Sequence, residues 1–217
     1  TPLIATEYLN ALIQNKFNIS AIYTQPPKKQ SRGMKLIKSP VNLLGDDRNI
    51  DVFNPNYFNL KTIDNLKNQN PDLIIVMAYG KLLPAEILAI PKFGCINVHV
   101  SILPRWRGAA PIEYSLINGD KETGISIIKL TEQLDAGPIL VQEKLVIPEN
   151  CNRLQLSNLL TNIGTKLLVR TIPKIFKNEI SLTNQDENYV TYANKITSES
   201  RKINFNNSVK SIINQIR

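Results

Sequence analysis

Asn97 and His99 are the residues of this chain best suited to acid–base chemistry. They stand two positions apart at the end of an apolar run, and His99 is the only histidine among 217 residues. Alternate side chains of a β-strand point to one face, so a strand here would place the amide beside the imidazole. Imidazole is the side chain that ordinarily changes charge near neutral pH. A lone histidine can also be structural, but the asparagine and the polar loop that follows favour a chemical role.

Asp135 is the third candidate, in a Leu-Asp-Ala-Gly-Pro turn between two apolar segments. An amide, an imidazole and a carboxylate together suit acyl transfer to an amine. The amide donates to the carbonyl oxygen as it becomes an oxyanion, a role worth about 3–4 kcal/mol. The imidazole handles the proton that the amine loses, and the carboxylate orients the imidazole. A turn aspartate also caps its own backbone, and spacing alone favours that structural role.

Several other kinds of chemistry find no support in the sequence. Ser101 is too close to His99 for a Ser-His-Asp triad, and the chain has no Gly-x-Ser-x-Gly elbow, Walker loop or Gly-x-Gly-x-x-Gly fingerprint. One histidine and two scattered cysteines argue against zinc, so no metal is expected. The same cysteine usage predicts a reducing, cytoplasmic location. No apolar run is long enough to predict a transmembrane helix.

The formal net charge of +8 is unevenly distributed. No acidic residue occurs between Glu7 and Asp46, whereas five cations fall within residues 28–38: Lys28, Lys29, Arg32, Lys35 and Lys38. Compositional bias toward lysine would spread the lysines but would not empty one stretch of acids. We therefore interpret the segment as a basic loop that binds a polyanionic partner such as a nucleic acid.

Strand and helix patterns alternate along the chain. Strands are predicted at 19–24, 50–53, 72–78, 95–99, 124–130 and 139–147, and helices at 3–13, 40–44, 60–68, 84–89, 110–117 and 154–176. This order predicts an α/β fold with an open, mostly parallel sheet and helices on both faces, its last two strands antiparallel. Ligands of such sheets bind beyond the carboxyl ends of the strands. Tyr79-Gly80 and His99 lie at two of these ends and are therefore candidates for ligand binding.

The segments also predict a domain organisation. Residues 1–183 are expected to form a catalytic domain, 184–202 a polar linker, and 203–217 the start of an incomplete second domain. The first domain opens on a helical pattern, so its usual first strand is expected to be absent. The apolar strand at 72–78 is expected to be buried on both faces.

Two motifs make the chain resemble a known enzyme family. The segments 95–99 and 101–112 are similar to the signature of the 10-formyltetrahydrofolate-dependent formyltransferases, and Leu-Asp-Ala-Gly at 134–137 resembles that family's Leu-Asp-x-Gly segment. The basic segment at 24–41 and the segment 190–195 are similar to the members that act on tRNA. The similar segments extend over nearly the whole chain, and they imply a Rossmann-like sheet.

The resemblance implies a role for each candidate residue. Asn97, His99 and Asp135 would be catalytic. The co-substrate 10-formyltetrahydrofolate would be bound by residues at two strand ends: Tyr79, Gly80, Ser101, Ile102, Leu103 and Pro104. The five cations within residues 28–38 would bind tRNA, and the acceptor would be the α-amino group of methionine on initiator tRNA. The enzyme is expected to act as a monomer in protein biosynthesis.

Two departures and three alternatives accompany this hypothesis. Val100 stands where the family usually has a small residue or proline, and Pro27 replaces an acid, which leaves the loop more basic.

The chain could instead formylate a sugar nucleotide or a purine precursor, or hydrolyse formyltetrahydrofolate. From another class, it could be a nucleic-acid-binding module without catalysis. The basic segment favours the tRNA enzyme over the first two, and retention of the catalytic trio favours it over the third.

Overall fold

The computed structural model describes residues 2–30 and 35–217. The chain forms two compact units, Thr1–Asn97 and Val98–Arg217, so the division falls inside a single strand, Cys95–His99. The described elements of the first unit are α1 (Leu3–Gln14), β1 (Ile22–Tyr23), β2 (Lys28–Gln30), β3 (Lys35–Ile37), α2 (Pro40–Asp47), β4 (Val52–Phe53), α3 (Leu60–Gln69), β5 (Ile74–Val76), α4 (Ala85–Leu88) and β6 (Cys95–His99).

The core of the first unit follows from helix periodicity. Ala5 and Leu9 lie on one face of α1 and pack against Ile22 of β1 and Val41 of α2. Two of the helices begin at polar caps: the side chain of Ser39 accepts a hydrogen bond from the Asn42 N–H at the start of α2, and that of Asn59 accepts one from the Thr62 N–H at the start of α3.

The strand pairs of the first unit are parallel apart from one hairpin. β1 pairs with β4, and β5 pairs with β6 in a register that places Ile74 opposite Cys95 and Val76 opposite Asn97. The prediction that the apolar strand would be buried on both faces is wrong, because residues 74–76 are all partly exposed. Within the described residues of this unit β5 has a hydrogen-bonded neighbour on one side, β6, and so behaves as an edge strand.

The basic segment contains regular structure that the sequence did not indicate. Strands β2 and β3 form an antiparallel hairpin with Lys28 opposite Ile37 and Lys29 opposite Leu36. The expectation of a plain loop is therefore wrong for these flanks. Each strand has three residues, which is too short for an alternating pattern to be recognised. Ser31–Met34, including Arg32, lie outside the described residues.

The second unit is built around a hairpin and a long helix. Its described elements are β7 (Arg107–Gly108), α5 (Pro111–Ile117), β8 (Glu122–Lys129), β9 (Ile139–Val146), α6 (Arg153–Phe176), β10 (Tyr192–Ala193) and α7 (Val209–Ile216). β8 and β9 are antiparallel, as the short connection predicts. Ile125 and Ile127 of β8, and Leu160 and Leu167 of α6, are fully buried and form its core.

Pro173 neither ends nor interrupts α6, which continues to Phe176. Proline cannot donate a backbone hydrogen bond within a helix, but its carbonyl still accepts one, here from the Lys177 N–H in the final turn. No helix among the described residues combines the length and apolar character needed to cross a bilayer.

The polar segment at 184–202 is not bare chain. It contains a 3₁₀ turn, Glu187–Tyr189, and the short strand β10, which pairs in parallel with β7 through Tyr192 and Arg107. Thr183 pairs with Ile139 at the start of β9. The segment is therefore held against two parts of the second unit.

Gly124 tests the close packing of the β8–β9 hairpin. A Cβ atom at this position would lie 2.5 Å from Ile102 Cδ1 and closer still to the Glu143 carbonyl oxygen. Gly124→Ala should lower the free energy of unfolding by about 1–3 kcal/mol, because the backbones must separate. Denaturant unfolding measures the decrease, with Lys121→Ala at the exposed preceding turn as control. Equal stability of the two variants would contradict the packing.

Candidate active site

His99 ends β6 and is buried, with 5% of its surface exposed. Its Nε2 lies 2.8 Å from the carbonyl oxygen of Trp106. A carbonyl oxygen only accepts hydrogen bonds, so this contact places a proton on Nε2. The other ring nitrogen, Nδ1, faces a carboxylate.

That carboxylate belongs to Asp135, in the turn between β8 and β9. Its Oδ2 lies 3.6 Å from Nδ1 of His99, and both side chains are over nine-tenths buried. The same oxygen accepts a hydrogen bond of 2.9 Å from the backbone N–H of Gly108 in β7. Asp135 adopts φ = 49°, in the left-handed region. This hydrogen bond joins the carboxylate to a different strand, β7.

Asn97 lies two positions before His99 on β6 and is 9% exposed. Strand geometry places its side chain on the same face as the imidazole. The structure therefore provides an amide and an imidazole on one strand, and a carboxylate against the imidazole. This is the arrangement that acyl transfer to an amine requires.

The loop that follows β6 is held by hydrogen bonds to a buried serine of β8. Ser126 of β8 donates to the Ser101 carbonyl at 2.6 Å and accepts from the Leu103 N–H at 3.0 Å. Gln142 of β9 donates both to Ser126 Oγ and to the Leu103 carbonyl. Ser101 and Leu103 are buried, whereas Ile102 and Pro104 are partly exposed. Two of the four predicted folate-binding positions here thus hold the loop, and two present accessible surface.

Trp106 is held in an unusual backbone conformation by its own side chain and by Arg105. It has φ = 64°, and its indole Nε1 donates to Asp120 Oδ2 at 2.7 Å. The Arg105 guanidinium donates twice to the same carboxylate, at 3.0 and 2.7 Å, and stacks 4.1 Å above the indole ring. The peptide whose carbonyl meets His99 is thereby fixed. Sequence analysis assigned no role to Asp120, since no local pattern links an aspartate to a tryptophan 14 positions earlier.

Tyr79 and Gly80 follow β5 in the first unit. Gly80 has φ = 76°, and the Tyr79 ring is buried. Burial raises the pKa of Tyr79, and burial together with Tyr79 raises the pKa of Tyr23 to about 12. Neither phenolic oxygen has a hydrogen-bond partner among the described residues. The predicted ligand-binding position after β5 therefore carries one buried hydroxyl group, that of Tyr79, without a partner among the described residues.

The five predicted tRNA-binding cations are only partly characterised by the structure. Lys28 is exposed at the start of β2, and the ammonium of Lys38 pairs with Asp46. Lys29 and Lys35 belong to the hairpin strands. Arg32 lies outside the described residues. No group of three or more metal-ligating side chains occurs within residues 2–30 and 35–217.

The amino-acid sequence matches a known enzyme family over most of its length. Residues 1–172 match the family model described as formyl transferase. The chain is 44% identical over 219 residues to the methionyl-tRNA formyltransferase of Kosmotoga olearia, covering the whole chain and 70% of that protein. It is 40% identical over 218 residues to the enzyme of the same name from Pelagibacter ubique, with the same coverage.

Two solved structures of formyltransferases have a similar fold. A 4-N formyltransferase from Francisella tularensis superimposes with a TM-score of 0.75 at 19% identity, over 99% of this chain and 82% of that one. Phosphoribosylglycinamide formyltransferase from Bacillus halodurans gives 0.68 at 20% identity, over 81% and 91%. These likenesses establish the α/β fold.

The protein is thus an α/β enzyme, and it belongs to the formyl transferase family. Its curated relatives at 40–44% identity are methionyl-tRNA formyltransferases.

Asp120 accepts hydrogen bonds from the Trp106 indole and the Arg105 guanidinium, and we call these contacts the Trp106 clamp. Substitution of Asp120 tests it. Asp120→Asn removes the charge and replaces one accepting oxygen with an N–H group facing other donors, so the free energy of unfolding should fall by about 1–3 kcal/mol. Trp106 is the only tryptophan, so its fluorescence reports both unfolding and the local change. Glu149→Gln, at an exposed site, is the control. An unaltered emission spectrum and midpoint for Asp120→Asn would show that the clamp is unimportant.

Proposed function

We propose that this protein transfers a formyl group from 10-formyltetrahydrofolate to the α-amino group of methionine on initiator tRNA. The observation that carries the proposal is the buried contact between His99 and Asp135 in a chain that is 44% identical, end to end, to a methionyl-tRNA formyltransferase. Asn97, His99 and Asp135 are its catalytic residues. We further propose that the protein is a monomer and acts in the cytoplasm.

Asn97 and His99 would act where charge develops. As the amine nitrogen bonds to the formyl carbon, the formyl oxygen becomes an oxyanion. The amide of Asn97 donates to this oxygen, a contribution of about 3–4 kcal/mol for one such donor. The imidazole of His99 lies on the same strand face and takes part in moving the proton that the amine loses to the departing folate nitrogen.

Asp135 would keep the imidazole in the correct orientation. The Trp106 carbonyl contacts Nε2 and the carboxylate lies beside Nδ1, so the two contacts together fix the direction of the ring. A buried carboxylate stabilises the imidazolium far more than a hydrated one, because the surroundings screen the charges less. Asp135 therefore supports His99 at the moment of proton transfer.

The folate co-substrate fits two features of this chain. The accessible surfaces of Ile102 and Pro104 offer apolar contacts on a loop made rigid by Ser126. Tyr79 and Gly80 follow β5 in the first unit, at the end of a strand, where ligands of such sheets bind. Binding sites for small molecules combine such apolar walls with a few polar groups.

The tRNA would be bound in part by the basic hairpin β2–β3 with Lys38. Lysine and arginine contact phosphates, and release of counterions makes such binding salt-dependent. Arg32 is the residue of greatest interest because a guanidinium binds phosphate or a base edge with two parallel hydrogen bonds.

Removal of either strand-face donor tests the catalytic assignment. His99→Ala and Asn97→Ala should each lower the rate of formyl transfer by about a hundredfold or more while folate binding changes little, because both act on charge formed during reaction. Single-turnover assays with charged initiator tRNA measure the rate, and quenching of Trp106 fluorescence measures folate binding.

Glu132→Gln, an exposed carboxylate before the Asp135 turn, is the matched control. A His99→Ala enzyme that keeps more than about a tenth of the wild-type rate would exclude the assigned role. Formylation of a sugar nucleotide instead of charged tRNA by the wild-type protein would exclude the proposed acceptor and leave the chemistry intact.

The basic segment should act on tRNA and not on folate. Neutralising Lys28, Lys29, Arg32, Lys35 and Lys38 should raise KM for charged tRNA steeply and leave KM for folate near its original value. The salt slope should fall by about 0.7–0.9 for each phosphate that the protein no longer neutralises. The control neutralises five exposed lysines elsewhere: Lys61, Lys67, Lys166, Lys174 and Lys177. Equal effects of the two sets would mean that net charge, and not this segment, attracts tRNA.

A further inference from the structure

Gln185 is a residue of the polar segment that directly contacts the turn carrying Asp135. Its side-chain nitrogen donates to the Asp135 carbonyl at 2.7 Å and to the Gly137 carbonyl at 2.8 Å. Both protons of one amide group are therefore used on two carbonyls of the same short turn. The contact joins positions 50 residues apart, and no sequence motif predicts it.

This turn needs outside support. Asp135 has φ = 49°, a conformation that costs a non-glycine residue about 1–2 kcal/mol. Gly137 lies so close to the Lys129 carbonyl that a Cβ atom would not fit. The Gln185 amide binds the carbonyl of the aspartate itself and that of Gly137 two residues later, and so holds the turn in this conformation.

The other end of the Gln185 side chain connects to the strand that meets the Asp135 carboxylate. Its Oε1 accepts from Nε of Arg107 at 3.0 Å, and the Arg107 guanidinium, 4% exposed, also pairs with Glu187 at 2.8 Å. The next residue, Gly108, donates its N–H to Asp135 Oδ2. A closed ring of contacts thus runs from Gln185 to the Asp135 backbone, through its carboxylate to β7, and back to Gln185.

We propose that Gln185 is a positioning residue that sets the Asp135 carboxylate against His99. The inference rests on the proposed function, in which that carboxylate supports the imidazole. Gln185 contacts the backbone of Asp135 and not its carboxylate, so it acts through the aspartate. Misplacement of a catalytic group by about 1 Å can cost a hundredfold in rate, which is the scale on which such support matters.

Gln185→Glu removes the hydrogen-bond donors of this side chain and keeps its acceptor. The carboxylate still accepts from Arg107, but it has no proton for the Asp135 and Gly137 carbonyls and repels them. The turn is released while the Arg107 contact remains. Asn184→Asp makes the same chemical change at the adjacent exposed position and is the matched control.

Kinetics should show a change in rate without a change in binding. In Gln185→Glu we expect kcat to fall about tenfold to a hundredfold, with KM for folate and for charged tRNA within about twofold of wild type. In an Asp135→Asn background the same change should have little further effect, because the carboxylate that Gln185 positions is already absent. Asn184→Asp should behave as wild type.

A second readout does not depend on the acceptor. Since His99 is the only histidine, its ring ¹H and ¹⁵N signals are the only imidazole signals in the NMR spectrum of the chain. Gln185→Glu should displace them in the same direction as Asp135→Asn, and Asn184→Asp should leave them in place. If wild-type protein does not formylate charged tRNA, the proposed function fails, yet these signals still decide whether Gln185 positions Asp135.

Three results would overturn the inference. They are unchanged His99 signals and kcat in Gln185→Glu, a rise in KM with constant kcat, and full additivity with Asp135→Asn. Should Gln185→Glu not fold, as judged by thermal unfolding, Gln185→Met removes the same two donors without adding charge and is subject to the same outcomes.

Discussion

The two partners of His99 determine what the end of β6 can do. Its Nε2 donates to the Trp106 carbonyl, and its Nδ1 faces the Asp135 carboxylate. Both partners belong to residues whose backbone is in the left-handed region, with φ of 64° for Trp106 and 49° for Asp135. Each such conformation is unfavourable by about 1–2 kcal/mol and persists because neighbouring groups hold it. The Asp120 carboxylate does this for Trp106, and the Gln185 amide does it for Asp135.

The strand and the two donors could be predicted because their signals are local. Asn97 and His99 lie in one apolar run, and the two-residue period of a strand relates their side chains without any knowledge of the fold. The β8–β9 pairing was equally accessible, because a short connection permits only antiparallel neighbours. The Leu-Asp-Ala-Gly motif drew attention to Asp135, whereas its spacing favoured a turn role. Only the structure shows its carboxylate against the imidazole.

The supporting residues could not be predicted because their partners are distant in the chain. Gln185 reads as a linker glutamine among other polar residues, and its contacts lie about 50 and 80 positions away. Arg107 has the sequence context of a surface cation in a polar loop, but its side chain is buried and pairs with the exposed Glu187. The exposure of β5 was missed for a different reason: an apolar run indicates that a strand is present but not how many neighbours cover it.

The pairing of β7 with β10 has a consequence for the order in which the site is assembled. Trp106 and Thr191 hydrogen-bond across 85 residues, and the Arg107 N–H donates to the Thr191 carbonyl. Contacts so far apart in the chain form late, since the entropy of closing the loop must be met before they contribute. During synthesis, β6 and the Asp135 turn leave the ribosome well before residues 185–193. Until this segment docks, the Asp135 turn lacks the Gln185 amide that holds its carboxylate against the imidazole, so catalytic competence should arrive as one of the last events of folding.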